Sequence, residues 1–369
     1  MNPQTALPTS TFWKGKSVLV TGHTGFKGSW LSLWLAQLEA IVNGYALPPE
    51  NRNSLFKLIS DDDILSSSHL QDVRDLPGLL QVMRSCQPEI VFHLAAQALV
   101  RESYLNPVDT FSTNVMGTVN LLEAVGQIDS VRAVVIVTTD KCYENKEWPW
   151  PYRENDALGG HDPYSASKAC AEIITQSWQS SQHSHQGGEG QASFVASARA
   201  GNVIGGGDWS ADRLVPDVLS CIEARRPISL RNPSAVRPWQ HVLDPLAGYL
   251  LLAEKLYEEG ERWEGAWNFG PAETGNETVS KVVETLLHAM QSDCCWQTDC
   301  GAHPTETQLL RLDCSKARQQ LQWTPRWTLA QAIDEVAGWH RAWLNNSDMR
   351  QYSRESIQRY MNERQESAR

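Results

Sequence analysis

The sequence predicts an α/β protein: a parallel, doubly wound sheet with a smaller second lobe. Three observations lead there. The β-branched run "KSVLVT" (Lys16 to Thr21) ends directly in closely spaced glycines. Apolar, strand-like runs then alternate with stretches of helical periodicity as far as about Arg199. Beyond that point turns rich in Gly and Pro take over, as in "GNVIGGGDW", "RNPSAVRPW" and "FGPAETGNET". Buried strands alternating with helices require crossover connections, and those make the strands parallel.

The elements follow in order. Phe26 to Ala40 reads as an amphipathic helix and Ile41 to Ala46 as the next strand. "EIVFHLAA" (Glu89 to Ala96) is a third clear strand, and Thr110 to Val125 has helical periodicity. "RAVVIVTT" (Arg132 to Thr139) is strand again, Asp162 to Ser181 helix, and Ala192 to Ala198 strand. "HSHQGGEGQ" (His183 to Gln191) interrupts the pattern and reads as a surface loop rather than a metal site built on its two histidines. The expected division is a dinucleotide-binding domain over 1–198, a substrate-binding lobe over 199–350 and a polar tail over 351–369. A helix near Asp244 to Glu259 is expected to return to the first domain.

Bulk properties narrow the function. The 369 residues are 41% hydrophobic and carry a net charge of −11, which argues against nucleic acid as a partner. An anionic ligand would need a local cluster of arginines. None of the eight cysteines forms a CxxC pair, and the group Cys294, Cys295, Cys300 and Cys314 fits no common zinc spacing. No metal is expected, and the thiols read as reduced residues of a cytoplasmic protein. The N-terminal stretch lacks the apolar core of a signal peptide, and no apolar run approaches the length of a membrane span. The 15 tryptophans are scattered and read as packing residues.

"VLVTGHTGFKG" places Gly22, Gly25 and Gly28 between the first strand and the first helix. Glycine lets the backbone turn sharply against a pyrophosphate, and a helix N-terminus favours its negative charge. This is the opening of a Rossmann-type domain. The second strand ends without the usual acid for a ribose 2′-hydroxyl, and without an adjacent Arg for a 2′-phosphate; the reading adopted is NAD. His23 and Lys27 reach the ribose or phosphates, or else face solvent from the turn. Asp72 and Val73 follow a strand, where the carboxylate either accepts the adenine amino proton or is an exposed loop acid.

"YSASK" sets Tyr164 and Lys168 one helical turn apart, on one face. A neighbouring cation lowers a phenol's pKa and makes it a usable base for a sugar hydroxyl. A second feature is "VVIVTTDKCY", where an apolar strand runs straight into an acid and a base, Asp140 and Lys141. Such a pair is costly to desolvate and calls for a chemical reason.

These stretches resemble the extended short-chain dehydrogenases/reductases that act on nucleotide sugars, and among them the group that dehydrates CDP-glucose. The resemblance lies in "TGHTGFKGSWL", "HLAAQALVRESY", "TTDKCYEN", "DPYSASKACAE", "RAGNVIGGGDW", "DRLVPD" and "RPWQHVLD", spanning Thr21 to Asp244. It implies NAD as coenzyme, bound by Gly22, His23, Gly25, Phe26, Gly28, Asp72, Val73, Ala95, Ala96, Tyr164 and Lys168. It implies CDP-glucose as substrate, held by Gln97, Arg101, Asn202, Arg213, Arg231 and Arg237, with packing or loop capping as a competing reading for Gln97 and Arg101. The implied roles are Tyr164 as base at the C4 hydroxyl, Lys168 on the nicotinamide ribose and Thr139 on the C4 oxygen. Asp140 is then the acid at C6 and Lys141 the base at C5. Dehydratases acting on dTDP-glucose carry Glu where this chain has Lys141. The alternatives are a 4-epimerase, against which "TTDK" argues because such enzymes carry small residues there, or a dehydratase of another nucleotide-linked hexose. The resemblance also implies a homodimer through Thr110 to Val125 and Asp162 to Ser181.

Overall fold

The structure, a computed structural model, describes residues 5–362 apart from 50, 52, 60–62, 185–191, 273–274, 300 and 302–308. Most of "HSHQGGEGQ" therefore lies outside the described residues. Six strands come first: β1 (Ser17–Thr21), β2 (Ile41–Ala46), β3 (Ser67–Leu70), β4 (Ile90–His93), β5 (Ala133–Val137) and β6 (Phe194–Ala200). Six more follow: β7 (Asn202–Ile204), β8 (Ile228–Leu230), β9 (Val236–His241), β10 (Gly265–Phe269), β11 (Asn276–Thr278) and β12 (Trp296–Thr298). Seven of them form one parallel sheet in the order β3-β2-β1-β4-β5-β6-β10.

Strand alternation sends successive side chains to opposite faces. In β5, Ala133, Val135 and Val137 join one core, while Val134 and Ile136 join the other. β1 does the same, with Val18 and Val20 on the first face and Leu19 on the second. Both faces are thus covered, as a parallel sheet demands. The chain leaves β1 toward β2 and β3, then returns to β1's other side for β4, so the order reverses between β1 and β4. A crevice at the carboxyl ends of the strands there is the usual ligand site of such sheets.

Three differences from the sequence reading have physical causes. The helix Phe26–Gln37 is not amphipathic: residues 28–35 are all buried. Its outer side is covered by the C-terminal helix Met349–Asn362, whose Tyr360 ring meets Trp34 edge-on at 5.6 Å. The polar tail therefore contributes core, with Ile357 and Tyr360 fully buried. Finally, the chain returns to the main sheet at β10, inside the stretch expected to form the second lobe, and pairs with β6.

The helix Leu243–Glu259 is buried over most of its length and shares a core with β5 and β6. The helix expected at Thr110 to Val125 runs from Pro107, with a π-helical turn at Ser112–Met116 before Gly117–Val125. Such bulges concentrate at functional sites. The smaller lobe holds the sheets β11-β9-β7 and β12-β8 over its own core, including Trp239, Val282, Leu286 and Val336.

Candidate active site

The glycine turn is shaped by what its residues lack. Gly22 has φ +76°, and a Cβ there would lie 2.7 Å from the Ala95 nitrogen. A Cβ on Gly28 would lie 2.1 Å from the Gly22 carbonyl oxygen. The loop after β1 thus presses against the backbone after β4, where Ala95 and Ala96 sit, and Gly25 caps a twelve-residue helix opened by Phe26. This cradle fits a dinucleotide pyrophosphate at a helix N-terminus.

His23 does not face solvent. It is fully buried, its Nε2 lies 2.8 Å from Ser68 Oγ, and its ring fills the space that a side chain on Gly44 would need. Burial pushes its pKa down to about 4. Asp72 stands after β3, its carboxylate gripped by Arg74 with Nη2 at 2.5 Å, and that bond holds it below the usual carboxylate range. Val73 beside it is buried against Gly117.

The acid and base sit on a 3₁₀ turn, Asp140–Cys142, directly past β5. Thr139 is extended there; its hydroxyl donates to Asp140 Oδ1 at 3.1 Å and accepts from the Lys141 amide at 3.4 Å. Asp140 is buried, and its Oδ2 is enclosed without a hydrogen-bond partner, 2.9 Å from where a Cβ on Gly201 would stand. Burial pushes its pKa up, against the pull of Lys141, Thr139, Arg237 and Lys27. An oxygen so placed is suited to hold a proton and release it to a leaving group. Lys141 forms no ion pair with any described carboxylate, so it is not the salt-bridge partner of Asp140.

Tyr164 and Lys168 lie on the helix Pro163–Ser184 and both are buried. Burial pushes the phenol up to about 12, while a hydrogen bond with Thr139 and the charge of Arg213 act in the opposite sense. Lys168 Nζ donates to the Val137 carbonyl at 3.1 Å. Burial pushes Lys168 down to about 8, and Glu172 opposes that shift.

The residues expected to hold substrate divide. Arg237 is buried on β9 and acts on Asp140. Arg213 pairs with Asp208 at 3.1 Å and bears on both Tyr164 and Lys27. Arg101 reaches Asp212 at 2.9 Å, joining the helix Val100–Leu105 to the loop after β7. Asn202 opens β7, and Arg231 follows β8 beside Asp217. Gln97's side chain accepts from the Leu99 amide at 2.5 Å and donates to the Leu99 carbonyl and Thr110 Oγ1. These bonds staple its own loop.

Lys27, offered with His23 for the ribose or phosphates or else for solvent, lies on the first helical turn, where burial and the charges of Arg213 and Lys168 push it down to about 7. Other residues were missed. Asn114, in the π turn, donates to the Gln97 carbonyl at 3.0 Å and to Ser167 Oγ at 2.8 Å, tying the loop after β4 to the Tyr164 helix. Glu172 and Arg199 form a buried ion pair behind the turn. The one sequence signal was Glu172, four residues after Lys168 on the same helical face. Among the described residues no cluster could hold a metal ion, and no helix is long and apolar enough to cross a membrane.

Comparison with known proteins agrees with this geometry. Residues 19–336 match the family model described as GDP-mannose 4,6-dehydratase. CDP-glucose 4,6-dehydratase of Salmonella typhimurium is 49% identical over 350 residues, 95% of this chain and 97% of that one. The structure of UDP-glucose 4-epimerase from Thermotoga maritima superposes with a TM-score of 0.76 at 21% identity, covering 89% of this chain and 99% of that one. dTDP-glucose 4,6-dehydratase from Bacillus anthracis, solved with NAD, gives 0.72 at 22%, covering 89% and 97%. Sequence and fold together place this chain in the GDP-mannose 4,6-dehydratase family.

Proposed function

We propose that the chain is a CDP-glucose 4,6-dehydratase, converting CDP-glucose to CDP-4-dehydro-6-deoxy-glucose and water with NAD. The observation that carries the chemistry is Asp140: a buried carboxyl, raised in pKa, next in the chain to Lys141, whose charge acts on it, and linked through Thr139 to Tyr164. An epimerase or simple 4-dehydrogenase needs no such acid. The choice of CDP-glucose rests on the Salmonella relative, and on Lys141, where dehydratases of dTDP-glucose carry Glu.

The residues divide the work. Gly22, Gly25 and Gly28 would hold NAD by its pyrophosphate, and the coenzyme would supply hydride transfer between C4 and C6 of the sugar. Tyr164 takes the C4 hydroxyl proton, and Thr139 holds the C4 oxygen. The resulting ketone acidifies C5–H. Lys141 removes that proton as the C6–O bond breaks, Asp140 supplies a proton to the departing oxygen, giving water, and a proton returns to C5 from the Lys141 side as hydride reaches C6. Lys168 holds the nicotinamide ribose, Asp72 and Val73 the adenine end, and Arg213 and Arg237 the diphosphate. Asn202 and Arg231 complete the nucleotide contacts. Buried and Ser68-bonded, His23 supports the coenzyme loop from beneath.

We place the enzyme in the cytoplasm, in synthesis of deoxysugars for surface polysaccharide such as O-antigen, as a homodimer. Leu105, Val108 and Ile173 are 75%, 82% and 54% exposed, and Phe111 and Met116 are exposed beside them. These apolar side chains lie on or beside the two helices expected to pair, which supports the dimer. A monomeric mass by light scattering at micromolar concentration would overturn it. The substrate is tested by incubating the protein and NAD with CDP-, dTDP-, UDP- and GDP-glucose. A 4-keto sugar should form from CDP-glucose alone; formation from another and not from CDP-glucose would refute the assignment.

A further inference from the structure

Behind the catalytic turn lies a polar network that the reaction scheme does not use. Glu172 and Arg199 pair at 2.8 Å with side chains 1% and 0% exposed. Thr138 Oγ1 donates to Glu172 Oε1, and Ser197 Oγ donates to Oε2 at 2.6 Å. Arg199 Nη1 donates to the Tyr143 hydroxyl at 2.7 Å and to the Glu154 carbonyl at 3.0 Å. Tyr143 donates in turn to Asn268 Oδ1 at 2.7 Å, and Asn268 Nδ2 reaches the Tyr152 carbonyl at 3.0 Å.

The attachment points are informative. Thr138 and Tyr143 flank the segment Thr139 to Cys142, so one ion pair grips both ends of the turn that carries Asp140 and Lys141. Glu172 also sits one helical turn from Lys168, on the helix that carries Tyr164. The pair therefore joins the two halves of the chemistry: the helix that removes the C4 proton and the turn that serves C5 and C6. A fully buried ion pair is a weak source of stability, because desolvation consumes most of the attraction, and apolar packing often does as well. What it supplies is direction, through hydrogen bonds of fixed geometry.

We infer that Glu172 and Arg199 are positioning residues that hold the acid–base turn in register with the Tyr164–Lys168 helix, so that elimination follows oxidation. This rests on the dehydratase reading above. Loosening the pair should separate the half-reactions. C4 oxidation rests chiefly on Tyr164 and Lys168 of the helix, with Thr139 only at the near edge of the turn, whereas loss of C5–H and the C6 oxygen needs Asp140 and Lys141 inside the turn in place.

The test uses two near-isosteric variants at opposite ends of the turn. Tyr143→Phe removes the hydroxyl that accepts from Arg199; Thr138→Val removes the donor to Glu172. Each is given CDP-glucose and NAD in deuterated water. Reduced nicotinamide should appear at close to the wild-type rate and then accumulate. Deuterium entry at C5 and product formation should fall roughly ten- to hundred-fold, the size of loss expected from a small misplacement of reacting groups. Equal loss of all steps, or no change in either variant, overturns the inference. If Tyr143→Phe does not fold, Thr138→Val decides alone. Failure of the wild-type protein to convert CDP-glucose is a different result, and refutes the functional assignment itself.

Discussion

After β1 the chain strips side chains away: Gly22 and Gly28 leave no room for a Cβ, and what remains is bare backbone at a helix start. After β5 it does the reverse, packing Thr139, Asp140 and Lys141 against a buried ion pair and two further cations. One end of the cleft is defined by absent atoms, the other by charge held out of water. The first should be intolerant of anything added and the second of anything removed, and each expectation can be broken separately.

The largest effect belongs to the charged end. Tyr164→Phe should reduce turnover about 10³-fold, within the range of a lost general base, with NAD affinity little changed in a binding titration. Loss of NAD binding instead would make Tyr164 part of the cradle and blur the contrast. At the glycine end, Gly28→Ala drives a methyl into the Gly22 carbonyl, a backbone atom that cannot swing aside. It should cost about 3 kcal/mol in stability or coenzyme affinity, read by denaturation and titration.

Asp244 extends the contrast to pH. It is buried, accepts from the Arg326 amide at 2.7 Å and the Tyr360 hydroxyl at 2.9 Å, and burial pushes its pKa up to about 7. The folded state therefore keeps a proton that the unfolded chain releases near pH 4. Its contribution to stability is fully present below that pH and declines as pH rises toward 7. Asp244→Asn should gain about 2 kcal/mol relative to wild type between pH 5 and 8, measured by urea denaturation. The smallest effect should come from the half-exposed Arg101–Asp212 pair. Arg101→Ala should change stability by less than about 1 kcal/mol, since solvent screens such pairs; a larger loss in substrate KM than in stability would mark Arg101 as a substrate contact.

Local signals made the glycine end legible. The β-branched strand, the glycine spacing and the following helix all lie within Lys16 to Gln37, and strand alternation is a property of neighbours. The Tyr164–Lys168 spacing and the "TTDK" strand end are equally local. Distant pairing hid the rest. Arg199 in "SARAG" looks like any surface arginine, and only Glu172, 27 residues upstream, makes its burial tolerable. The bond from Gln97 to Thr110, which ties its loop to the helix opened by Pro107, gives no local signal in the sequence. The helix at Met349–Asn362 reads as polar because its few buried residues, such as Ile357 and Tyr360, are spread along a charged surface, and the face that they cover belongs to the first helix. β10, GAWNF, is as long as β5 but stands at the sheet's edge and carries Gly265 and Asn268, so it lacks the unbroken apolar run that marks β5.

The central claim is that hydride leaves one sugar carbon and returns to another in the same molecule. It is tested most directly with CDP-glucose deuterated at C4, converted by the wild-type protein with unlabelled NAD in ordinary water, the product then being read by mass spectrometry and NMR. The label should be found on C6 of the 4-keto product. Product with no deuterium at C6, or recovery of the sugar nucleotide with its label still on C4, would contradict it.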